Sequence, residues 1–84
     1  MNARKHNRKP EPTAAEAYAA RRNDIARLLD VLQMELDKHA EAARRDPTNW
    51  GRPGDLAKVR SDLIDTVAFI SGMPRDADEG FLAE

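Results

Sequence analysis

The segment Asp46-Pro-Thr-Asn-Trp-Gly-Arg-Pro-Gly-Asp55 constrains this chain more than any other. It holds the only Trp, two of the five Pro and two of the four Gly, and it lies between two stretches whose apolar residues recur at helical spacing. Proline lacks the amide donor that a helix interior needs, and glycine adds backbone freedom that a helix must freeze. Neither flanking helix is expected to run through such a segment, so the chain turns here and the expected fold is an all-α helical hairpin.

The first helix has a legible start. Thr13-Ala-Ala-Glu16 fits a capping box, in which the threonine hydroxyl takes the amide three residues on and the glutamate reaches back to the threonine amide. The Ala-rich run Ala14 to Ala20 supplies propensity, and nothing interrupts the pattern before Asp46-Pro47. Arg44 and Arg45 sit where the negative end of the helix dipole favours cations. The expected helix 14–45 is about 32 residues, roughly 48 Å long.

Its apolar stripe is Tyr18, Ile25, Leu29, Leu32, Leu36, His39 and Ala43, widened by Leu28 and Ala40. Arg22 interrupts the seam, which argues against a long coiled coil. After a turn at 46–54, a second helix is expected at 55–71, with Asp55 as N-cap and Gly72 followed by Pro74 as its stop. Leu56, Val59, Leu63, Val67 and Ile70 form its inward stripe, with Ile64 and Thr66 at the margins. At about 17 residues, roughly 26 Å, it is much shorter than the first helix. The N-terminal half of the long helix therefore lacks a partner within the hairpin, and dimerisation into a four-helix bundle is the expected remedy.

Composition narrows the classes. Eighty-four residues, 35% charged and 40% hydrophobic with 5% aromatic, make one small helix-biased domain. Cysteine is absent, which excludes disulfide scaffolds, zinc knuckles and thiol catalysis. The sequence shows neither a secretory-type leader nor an apolar run of the roughly 18 residues a membrane span requires; a cytoplasmic protein without membrane contact is expected. The net charge of −1 hides two unlike ends. Residues 1–12 form a basic arm carrying Arg4, Lys5, Arg8 and Lys9, and residues 73–84 an acidic tail carrying Asp76, Asp78, Glu79 and Glu84 against Arg75.

Within the turn, Trp50 is expected to plug the open end of the core while Gly51 and Gly54 let the backbone pass closely; the competing reading is an exposed anchor for a partner protein. Asn49 and Thr48 suit local turn or capping roles. His39 falls on the seam with Glu35 one turn earlier, and a dimer axis would double that pair. The Glu-x-x-His spacing of di-iron bundles is absent, however, so the expected role is an interfacial or partly exposed histidine with no metal and no cofactor. Val31 and Met34, with Phe69 and Met73, point away from the main stripes and are either scattered surface residues or a second contact patch. The basic arm suits a weak, salt-sensitive, non-specific grip on nucleic acid. The tail, with Phe81 and Leu82 among its acids, reads as a free tail, a docking segment or a strap returning to the bundle.

The segment Asn49-Trp-Gly-Arg-Pro-Gly-Asp-Leu56 resembles the inter-helix turn of short uncharacterised bacterial helical-hairpin proteins, with the pattern Asn-Trp-Gly-x-x-Gly-Asp-Leu. The resemblance spans roughly residues 25–72 and implies a fold without implying an activity. The expected function is that of a small non-catalytic interaction or accessory protein. A nucleic-acid-associated regulator using the basic arm is the alternative, and a metal-binding or enzymatic bundle comes third.

Overall fold

The computed structural model describes residues 11–83. Among them are three helices and no strand: α1, Ala14–Arg45; α2, Gly51–Ser71; and α3, Arg75–Ala83. The chain divides into two units, Met1–Lys38 and His39–Glu84. The first contains α1 as far as Lys38; the second contains the last turns of α1, the connection, α2 and α3.

In the first unit, the start of α1 is fixed by the capping box. The Glu16 amide donates to Thr13 Oγ1 at 3.1 Å, and the Thr13 amide donates to Glu16 Oε1 at 2.9 Å. Two otherwise orphaned donors are thereby satisfied. No residue of α1 is fully buried. Tyr18, Ile25 and Leu29 of the seam are exposed, while Leu32 and Leu36 are half-buried. On the outer surface Gln33 bonds Asp37, and Lys38 bonds Glu35, across one turn, local pairs of the kind that support helices in water.

In the second unit, α1 ends at Arg45 and the connection is a succession of tight turns. Asp46-Pro47-Thr48-Asn49 closes with the Asn49 amide donating to the Asp46 carbonyl at 3.2 Å, with Asp at the first position and Pro at the second, as such turns favour. The Asn49 side-chain amide donates to Asp46 Oδ2 at 2.8 Å, and Asn49 Oδ1 accepts the Gly51 amide at 2.8 Å.

That last bond corrects the expected start of the second helix. α2 begins at Gly51 rather than at 55, and Asp55 lies inside it. The Gly54 amide makes the first full-turn bond, to the Trp50 carbonyl at 3.2 Å. Pro53 thus occupies the first turn, where an amide would have no partner in any case. The Gly-Arg-Pro-Gly run reads as a breaker in sequence but is compatible with a helix start. Nor does Gly54 relieve a close approach: a Cβ there would meet nothing within 4 Å, whereas one at Gly51 would come to 3.0 Å from Asn49 Oδ1. The other end follows the expected stop. Gly72 takes φ 75°, the left-handed conformation that ends helices, and its amide caps the Ala68 carbonyl at 3.0 Å.

The acidic tail is a third helix. α3 carries Asp76 and Asp78 in its first turn, where carboxylates complement the positive end of the dipole, and it packs against α2. The buried apolar residue of the described chain is Ile64, 5% exposed, a position expected only at the margin of the α2 stripe. Spacing explains the reversal. Ser61, Ile64, Asp65 and Ala68 recur at i, i+3, i+4 and i+7, and Arg75 of α3 bonds both Ser61 and Asp65. This face lies nearly opposite Leu56, Val59, Leu63, Val67 and Ile70 at about 3.6 residues per turn. Of those five, Val59 is half-buried and the others are exposed. Phe81 and Leu82, at 64% and 58% exposure, do not form the seat of α3.

The turn makes a direct prediction. Asn49→Ala removes the acceptor of the Gly51 amide and the donor to Asp46, and is expected to cost about 0.5–1.5 kcal/mol in thermal or denaturant unfolding, the range for a hydrogen bond. Unchanged stability would make these bonds incidental to the start of α2.

Candidate functional site

The connection between α1 and α2 concentrates the most distinctive residues of the second unit. Trp50 lies in it and is 85% exposed. The expected core plug is therefore not formed. The physical reason is the early start of α2: Trp50 is absorbed into the turn of helix entry, with backbone φ −67° and ψ −12°. Pro47, Thr48, Asn49, Trp50 and Pro53 line a cleft of about 310 Å³. Its walls are two proline rings and an indole, and its polar groups are those of Thr48 and Asn49. Such a surface offers apolar contact area with one aromatic anchor.

Behind the cleft, His39 and Asp55 link the end of α1 to the first turns of α2. His39 Nε2 lies 3.0 Å from Asp55 Oδ2, with the His39 side chain 20% exposed and that of Asp55 62% exposed. Within the first unit, Glu35 bonds Lys38 at 3.1 Å. His39 Nδ1 and Arg52 Nε are buried without hydrogen-bond partners among the described residues. No group of three or more His, Cys, Asp or Glu side chains suited to a metal occurs among the described residues.

A second polar cluster joins α2 to α3. One terminal nitrogen of Arg75, Nη1, donates to the Ser61 carbonyl at 3.1 Å and to Asp65 Oδ1; the other, Nη2, donates to Ser61 Oγ at 3.0 Å. Arg75 Nε lies 3.3 Å from Glu79 Oε2. The Asp65 hydrogen bond is the chief reason that the Arg75 guanidinium is held above its usual pKa. Asp78 is 5% exposed, and neither of its carboxylate oxygens has a partner among the described residues. In the sequence Arg75 stands as a lone cation among acids. The signals that would have found this cluster are the helix stop at Gly72-x-Pro74, the first-turn acids after it, and the i, i+4 spacing of Arg75 and Glu79.

The other expected contact residues are distributed over both units. Val31 and Met34 of the first unit are 50% and 58% exposed; Phe69 of the second is 86% exposed and Met73 is half-buried. Arg4, Lys5, Arg8 and Lys9 lie outside the described residues. No helix among the described residues is long and apolar enough to cross a membrane. Comparison with protein-family models, curated proteins and solved structures gives no match.

Trp50 is the only tryptophan, so its fluorescence reports this cleft alone. The emission is expected to be water-like and readily quenched, and Trp50→Ala is expected to change stability by no more than about 0.5 kcal/mol, as for a surface residue. A blue-shifted emission with a large loss on truncation would restore the plug. For His39 and Asp55, a double-mutant cycle with His39→Ala and Asp55→Ala is expected to give a coupling of about 0.5–1.5 kcal/mol, the range for a hydrogen bond. A coupling of zero would make their proximity incidental.

Proposed function

We propose that this chain is a small non-catalytic interaction protein in which α1 and α2 form an antiparallel hairpin and two copies associate as a four-helix bundle. The observation that carries this reading is the exposure of apolar residues at helical spacing. On α1, Tyr18, Ile25 and Leu29 are 70%, 56% and 55% exposed; on α2, Leu63, Val67 and Ile70 are 38%, 47% and 78% exposed. Contiguous apolar surface of this kind is unfavourable in water, and covering it returns about 25 cal/mol per Å². A second copy offers the same stripe at the same spacing, so a two-fold axis satisfies both at once.

In this arrangement the seam residues Leu29, Leu32, Leu36 and His39 of α1 and Leu56, Val59, Leu63 and Val67 of α2 supply the bundle interior. The Trp50 cleft stands at the end of the hairpin as the surface offered to another protein, since exposed tryptophan set among apolar residues is the commonest kind of interface anchor.

Sedimentation and thermal melts over a range of concentrations test it. The expected result is a dimer at micromolar concentration with a Tm that rises with concentration, and a shift to monomer on Leu63→Glu combined with Val67→Glu. A monomer whose melt is independent of concentration would refute the bundle. If instead the protein binds DNA or RNA in a salt-dependent manner that is lost with residues 1–12, the basic arm becomes the functional element.

A further inference from the structure

The α2–α3 contact combines an unusual set of features. α3 has nine residues, fewer than the roughly 12–15 that an isolated helix needs even for marginal stability, so its helical state depends on docking. The docking face of α2 contributes one buried apolar side chain, Ile64. Phe81 and Leu82, the large apolar residues of α3, remain exposed. What holds α3 is polar and centred on a single residue: Arg75 reaches the Ser61 carbonyl, Ser61 Oγ, Asp65 and, within α3, Glu79. Working against it is Asp78, buried to 5% exposure with both carboxylate oxygens unpartnered among the described residues. A carboxylate taken out of water without a compensating donor opposes the state that buries it.

We propose that α3 is a releasable strap, latched to α2 by Arg75 and biased toward release by the Asp78 carboxylate. Docking orders α3 and accompanies the burial of Ile64 and the half-burial of Ser61 and Ala68 on that face of α2; release unfolds α3 and uncovers them. The hinge is Gly72-Met73-Pro74, where Gly72 in the left-handed conformation at φ 75° ends α2 and the Pro74 carbonyl accepts the Ala77 amide at 3.1 Å to start α3. Release therefore leaves the cap of α2 intact, because the Gly72 amide bonds Ala68 and requires nothing from α3. Local opening of this kind is a separate equilibrium from global unfolding.

Residue-resolved amide hydrogen exchange on the full chain tests the strap, with the amides of Glu79 to Leu82 reporting α3 and those of Ile64 to Ala68 reporting α2. In the unmodified protein α3 is expected to be protected, but less so than α2. Arg75→Met removes the latch while keeping an aliphatic stem, and is expected to speed α3 exchange by about tenfold, as loss of hydrogen bonds to a charged group does, with α2 little changed. Asp78→Asn supplies the sign test. Asn is no better a helix former than Asp and loses the favourable interaction of a carboxylate with a helix N-terminus. Both local effects predict faster exchange, and only relief of a buried charge predicts slower. The expected result is α3 exchange slowed by about threefold or more. Faster exchange in Asp78→Asn, unchanged exchange in Arg75→Met, or loss of α2 protection in step with α3 would overturn the proposal.

Discussion

Scarcity of apolar burial governs this structure: within the described residues the buried apolar side chain is Ile64, at 5% exposure. Burying such a side chain is worth about 1.5–3 kcal/mol, far too little to order three helices, each residue of which costs about 1–2 kcal/mol of backbone entropy. Local interactions therefore decide where each element begins and ends. The capping box at Thr13 and Glu16, the Asp46 to Asn49 turn, the Asn49 bond to the Gly51 amide and the left-handed Gly72 are all contacts between near neighbours in sequence. They specify elements well and assembly poorly.

The same scarcity makes α2 the central element of the second unit, because it alone presents two useful faces. One carries Ser61, Ile64, Asp65 and Ala68 and is covered by α3 through Arg75. The other carries Leu56, Leu63, Val67 and Ile70 and is largely open. A polar seat for α3 and an apolar face left for another helix divide the surface by chemistry. The polar seat is made by a nine-residue helix whose own large apolar residues remain outside. The open face is where association has most to gain.

The turn shows how much of a candidate site can be read from residues alone. Its position, its density in Pro and Gly and the role of Asn49 as a local turn group are legible, because turn chemistry is local. The fate of Trp50 was not. An indole at a turn is driven by its size toward burial, but whether burial is available depends on where the next helix starts. That start was misplaced because Pro53 was weighed as a breaker, although in a first turn the missing amide costs nothing. His39 was likewise recognised as a seam residue, while its partner Asp55, sixteen positions on, lies on a different helix and carries no signal in the sequence pattern.

Helix content, the limits of α1, the location of the turn and the stop at Gly72 follow from the sequence by itself, since propensity, capping and backbone restriction act over four residues or fewer. The tertiary structure decided which groups meet: that the acidic end forms α3, that Arg75 finds Ser61 and Asp65, that His39 finds Asp55, and that Ile64 rather than its stripe neighbours is buried. The physical reason is that an amphipathic pattern fixes which residues share a face but not which element covers it. In a chain with two candidate faces on α2, that choice was made by a single arginine.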